Sequence, residues 1–66
     1  MPVIVFEGPK LAKEQKEELV KLFTDAAQKV TGIRREAFTV LIKENEPDNV
    51  GVGGELLSKI ISKERQ

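Results

Sequence analysis

A proline directly behind a methionine, Met1-Pro2, is the feature of this chain best suited to proton chemistry. A methionine followed by a residue as small as proline is ordinarily trimmed during maturation. The working protein is therefore expected to begin at Pro2, with a free secondary amine at the head of its first strand. The 66 residues include no His, no Cys and no Tyr. Of the groups left, only an α-amino group has a reference pKa between about 6 and 9. Pro2 is thus the first candidate for a general base.

The elements that must position this amine are few. The stretch Pro2-Val3-Ile4-Val5-Phe6 is unbroken in apolar character and rich in β-branched residues. That pattern suits a strand covered on both faces, which one short chain cannot supply alone. Glu7-Gly8-Pro9-Lys10 carries a Gly-Pro turn signal and is expected to end the strand. From about Lys13 to Thr31, Leu19, Phe23, Ala26, Ala27 and Val30 recur at three- and four-residue intervals, with Leu22 beside them. Lys16, Glu17, Lys21, Asp25 and Lys29 take the other side, so the segment reads as an amphipathic helix. Gly32 suits its left-handed C-terminal cap, with Lys29 well placed in the last turn. Its start has no Ser, Thr or Asp cap.

A basic connection, Arg34-Arg35-Glu36, leads to Ala37-Phe38-Thr39-Val40-Leu41-Ile42, which reads as a second strand. A helical crossover between the strands makes them a parallel pair. Pro2 is then expected near Phe38 and Thr39. Lys10 lies beyond the far end of the first strand, about 20 Å from its own Pro2 at roughly 3.3 Å per residue. It could serve Pro2 only from another subunit. Asn45-Glu46-Pro47-Asp48-Asn49 is turn-forming, and Val50-Gly51-Val52-Gly53-Gly54 reads as a small hairpin or lid. These glycines do not match the G-x-G-x-x-G dinucleotide fingerprint. In the tail, Glu55 to Gln66, the residues Leu56, Leu57, Ile60 and Ile61 form the stripe of a short helix that needs a partner, expected to be another subunit.

Composition sets the limits. A single domain over residues 1–66 buries only roughly 60% of the surface its unfolded chain exposes. Small domains compensate with disulfides, a metal or oligomerisation. Without Cys or His the first option is closed and the usual zinc ligands are missing, which leaves self-association. Lys plus Arg and Asp plus Glu number 11 each, so nucleic-acid and membrane partners are not expected. The longest apolar run is about five residues against roughly 20 for a bilayer span. The N-terminal run lacks a signal peptide's basic lead. A cytoplasmic location is expected.

Met1-Pro2, Glu14-Gln15-Lys16 and Val50-Gly51-Val52-Gly53-Gly54-Glu55, in this order and over nearly the whole chain, resemble the 4-oxalocrotonate tautomerase family. The resemblance implies an α+β fold. In it, a β-α-β unit with parallel strands and a C-terminal hairpin dimerises into a four-stranded sheet backed by two helices, and three dimers assemble into a homohexamer. It implies an isomerase that uses the N-terminal proline amine as general base to move a proton in unsaturated 2-hydroxy or 2-oxo acids. No metal or organic cofactor is implied, and the partner is a small-molecule carboxylate substrate.

Such chemistry needs a neutral amine, which apolar walls favour by disfavouring the charged form, and Val3, Phe38 and Val50 are candidate walls. It also needs cations to hold carboxylates and the charge that develops on the enolate oxygen. Here the chain departs from the family pattern. Lys10 is the nearest counterpart of the family's first arginine, with the loop spacing shifted. Thr39 stands at the second arginine, and Val50 at the aromatic position before the glycines. Lysine is a point charge where arginine grips bidentately, and Thr39 has no charge, so Arg35 or Arg34 is the expected substitute. Catalysis is therefore expected from Pro2, and substrate binding from Lys10, Thr39, Arg35 and Val50. The alternatives are a non-catalytic oligomeric relative, or a proline-based hydratase or dehalogenase.

Overall fold

The computed structural model describes residues 1–64. The last two residues of the expected tail helix lie outside the described residues. Strand β1 (Val3–Gly8) leads through a short loop into helix α1 (Lys13–Thr31). Strand β2 (Thr39–Glu44) then returns parallel to β1, in the register Val3 with Thr39 through Gly8 with Glu44. The ladder is extended at both ends, where Thr39 N donates to the Pro2 carbonyl at 3.1 Å and Asn45 N to the Gly8 carbonyl at 2.8 Å.

The strand boundaries differ from the sequence reading, and β2 runs on to Glu44 rather than ending at Ile42. Strand β1 runs on through Glu7 and Gly8, because both pair with β2 and the chain turns only at Pro9. Strand β2 begins at Thr39 rather than Ala37, because Arg35–Ala37 closes a 3-10 turn in which Ala37 N and Phe38 N donate to the carbonyls of Arg34 and Arg35. Helix α1 has the expected bounds. Gly32 ends it with φ 73°, its N–H donating to the Gln28 carbonyl at 2.8 Å. At the other end Ala12 has no capping side chain, so Gln15 Oε1 reaches back to accept from Ala12 N at 2.9 Å.

One face of the strand pair lies under α1. Ile4, Phe6, Val40 and Ile42 are half-buried there, and the Phe6 and Phe23 rings approach to 5.9 Å between centroids. The opposite face is open, with Val3 55%, Val5 50% and Leu41 45% exposed. The unbroken apolar run of β1 therefore has cover on one side only within the chain. Helix α1 has more apolar surface than the two strands can cover, and Leu22 and Val30 stay outside. Among the described residues no apolar side chain is fully buried; the one buried residue is Thr24, whose hydroxyl donates to the Val20 carbonyl at 2.8 Å.

Beyond β2, a 3-10 turn (Pro47–Asn49) precedes a hairpin of β3 (Gly51–Val52) and β4 (Glu55–Leu56), followed by helix α2 (Leu57–Glu64). The turn residues Gly53 and Gly54 have φ of 60° and 84°, the pair of left-handed conformations that a two-residue hairpin turn demands and that glycine adopts without strain. The radius of gyration is 15.7 Å, whereas a compact domain of this length has about 11 Å. The hairpin and α2 thus form an arm that extends the molecule to 47 Å.

Candidate active site

The expected site residues fall at the two opposite ends of the β1–β2 pair. Pro2 and Thr39 meet at the starting end, joined by the backbone hydrogen bond that opens the ladder, and both are half-buried. Thr39 shares the open face with its register partner Val3. Phe38, half-buried, precedes Thr39. This end offers Pro2, a hydroxyl and apolar neighbours.

Arg35 lies near this end but is already engaged. Its guanidinium Nη1 pairs with Asp25 of α1 at 2.5 Å and donates to Gln28 Oε1 at 3.4 Å. Arg35, with Lys21 second, holds the Asp25 carboxyl below its ordinary value. The connection is thereby anchored to the helix. Arg34 is exposed and forms no ion pair or side-chain hydrogen bond among the described residues. Of the two arginines, it is the one whose charge is uncommitted.

Lys10 and Val50 belong to the finishing end, where the strands run out. Val50 is fixed by two backbone hydrogen bonds, its N–H to the Pro47 carbonyl at 3.3 Å and its carbonyl from Leu57 N at 2.7 Å. It lines a largely apolar cavity of about 410 Å³ together with Gly8, Pro9, Pro47, Leu57 and Ile61, with Glu7 and Asn45 at its polar side. Val50 is therefore no wall for the Pro2 of its own chain, since the six residues of β1 separate them. Lys10 is exposed on the loop that follows Pro9. Leu57 and Ile61 of the tail stripe line this cavity and are half-buried, while Leu56 stays 41% exposed.

The sequence reading missed Glu44. Its Oε2 accepts from Leu11 N at 2.9 Å and pairs with Lys16 Nζ at 2.9 Å, tying the β1–α1 loop and the first turn of α1 to the end of β2. The Leu11 N–H first, and Lys16 second, hold this carboxyl below its ordinary value. No local signal marked it, since its partners lie 33 and 28 positions away. No helix among the described residues is long and apolar enough to cross a membrane.

A parallel β-α-β unit with a Gly-Gly hairpin, a helical tail and an open apolar sheet face defines a small α+β subunit of the tautomerase fold. The comparisons agree. The model of the tautomerase enzyme family matches residues 2–60. Relatives named probable tautomerase in Staphylococcus aureus and Staphylococcus haemolyticus are each 40% identical over 57 residues. The match covers 82% of this chain and 90% and 89% of theirs. Among solved structures, DmpI from Archaeoglobus fulgidus is 44% identical, with a TM-score of 0.79 over 86% of this chain and 98% of that one. The 4-oxalocrotonate tautomerase homologue YwhB is 33% identical, with a TM-score of 0.81 over 86% and 95%. The chain belongs to the tautomerase family.

Proposed function

We propose that the chain is a cofactor-independent isomerase. Its Pro2 amine, freed by removal of Met1, moves a proton within an unsaturated 2-hydroxy or 2-oxo acid. The observation that carries this reading is the division of the candidate residues between the two ends of the strand pair: Pro2 and Thr39 at one, Lys10 and Val50 at the other. A second copy placed antiparallel sets the finishing end of one chain beside the starting end of the next. Base, cation and apolar wall then meet in one composite site. The uncovered face of Val3, Val5 and Leu41 supports such assembly, and a homohexamer built as three dimers satisfies it.

The reaction then runs as follows. The neutral amine takes the proton of the enol hydroxyl, and the oxygen's electron pair forms the carbonyl. The displaced π electrons collect a proton from the same ammonium at a carbon of the conjugated chain. The amine ends neutral, so the cycle closes without a cofactor. Lys10 holds the substrate carboxylate, Thr39 faces the reacting end, and Arg34 is the free cation near the developing oxyanion. Apolar surroundings between subunits favour the neutral amine by disfavouring its charged form.

The test is ketonisation of phenylenolpyruvate by protein whose N-terminus has been verified as Pro2 by mass spectrometry. A rate above buffer that falls in acid as Pro2 is protonated supports the reading. A rate equal to buffer, with the chain processed and oligomeric, favours the second reading, a non-catalytic oligomer. Two observations speak for that alternative: Thr39 carries no charge and Arg35 is committed to Asp25.

A further inference from the structure

The β1–α1 loop carries Lys10 yet has little of its own to hold it. Four residues separate Gly8 from the first turn of α1, and Ala12 brings no capping side chain. Gln15 of α1 accepts from Ala12 N at the helix start, and the remaining restraints from outside the loop come from the end of β2. Asn45 N closes the ladder on the Gly8 carbonyl, and Glu44 places one carboxylate oxygen on Leu11 N and Lys16 Nζ, each at 2.9 Å. Leu11 is the residue directly after Lys10. A backbone N–H fixed by a charged acceptor is a stronger anchor than a neutral hydrogen bond. The parallel register sets Glu44 opposite Gly8, so the acceptor arrives where the loop begins.

We propose that Glu44 is a positioning residue that sets the loop so that Lys10 can hold the carboxylate of the substrate. This rests on the reading of Lys10 as the carboxylate ligand given above. Glu44 does not touch substrate. It acts through the Leu11 N–H, while Lys16 serves to hold the Glu44 side chain over the loop. Its side chain is 30% exposed and that of Lys16 36%, so the anchor is made at the surface by geometry rather than by burial.

The experiment uses the processed, full-length oligomer and three variants: Glu44→Ala, Glu44→Gln and Lys10→Ala. Glu44→Ala removes the anchor, and Leu11 amide hydrogen exchange should speed by about tenfold or more, whereas Glu44→Gln keeps an oxygen acceptor and should lie between. With phenylenolpyruvate, Glu44→Ala should raise KM about fivefold to tenfold and leave kcat within about twofold. With the methyl ester of the same enol it should leave KM within about twofold, because the ester offers Lys10 no charge. On a Lys10→Ala background, Glu44→Ala should add nothing further to KM for the acid.

An unchanged Leu11 exchange rate overturns the proposal. So does a rise in KM that is equal for acid and ester, or one that persists in the double variant, since either would mark a general loosening of the fold. Failure of the underlying reading looks different: Lys10→Ala itself would leave KM for the acid unchanged. A raised KM in Lys10→Ala with no effect of Glu44→Ala refutes the positioning role alone.

Discussion

The two ends of the β1–β2 pair are held by different means. At the starting end, Pro2 is tied by a main-chain hydrogen bond to Thr39 as the ladder opens. Its placement thus depends on the backbone and tolerates varied side chains. At the finishing end the chain leaves the ladder, and side chains take over: Glu44 on Leu11 and Lys16, and Asn45 Nδ2 on Glu7 Oε1 at 3.3 Å. Pro2, the base of the proposed mechanism, is therefore placed by the fold itself, whereas the loop of Lys10, its proposed cation, is placed by individual residues. A family built this way can keep its base while exchanging the groups that choose the substrate. Thr39, Lys10 and Val50 are the positions at which the resemblance implies a departure from the family pattern, and Pro2 is the one at which it implies none.

The strongest way to break this contrast is to block the base without touching the ladder. A tag fused ahead of Pro2 turns the amine into an amide while leaving the Pro2 carbonyl free to accept from Thr39. The rate on phenylenolpyruvate is expected to fall by about a hundredfold to ten-thousandfold, the range a positioned general base contributes, and to return when the tag is cleaved. Retention of activity by the tagged oligomer would remove Pro2 from the mechanism. Pro2→Ala leaves a primary amine and should reduce the rate without abolishing it.

The next effect tests whether the two ends must meet between copies. Leu41→Asp puts a charge on the open face beside Val5, and burying an unpaired carboxylate between subunits is strongly unfavourable. In sedimentation at micromolar concentration the variant should run smaller than the parent, with activity lost in parallel. An active, monomeric Leu41→Asp protein would show that one chain holds a complete site.

A smaller effect concerns the uncharged hydroxyl beside Pro2. Thr39→Arg supplies a cation at the starting end, and activity on a dicarboxylate dienol should rise about tenfold, corresponding to roughly 1.4 kcal/mol in the transition state. If the rate does not move while Arg34→Ala removes it, the oxyanion's cation is Arg34. Arg35→Ala should act through the Asp25 anchor, lowering stability more than it changes turnover.

How much of this was legible in the sequence follows from the range of each determinant. Helix α1 declared itself through local period and Gly32, and the parallel pairing through the crossover that joins the strands. The junction of Pro2 with Thr39 followed from that pairing. The strand ends were misplaced by two residues each because register decides them, as when Glu7 and Gly8 gain partners in Lys43 and Glu44. Glu44 itself could not be read in advance. Its partners Leu11 and Lys16 lie 33 and 28 positions away, and nothing local in the run from Lys43 to Asn45 marks it as an anchor. The engagement of Arg35 by Asp25 was likewise a matter of where the connection folds back on α1.

The smallest expected effect separates the two carboxylate anchors by acid. Asp25 and Glu44 both have folded-state pKa values below their ordinary 3.8 and 4.5, through Arg35 for the first and the Leu11 N–H for the second. For a depressed carboxyl the stabilisation is fully present above the ordinary value and fades as pH falls through the folded one. Both sites are solvent-screened, so each contribution is small. Asp25→Asn and Glu44→Gln should each lower Tm slightly at neutral pH, and each difference from the parent should close as pH falls below the ordinary value of the residue replaced. Added salt should shrink the Asp25→Asn difference more, since that anchor joins two side-chain charges, whereas Glu44 also grips a backbone N–H. A Tm difference that stays constant down to the lowest pH at which the oligomer holds would mean that these carboxylates stabilise by packing rather than by charge.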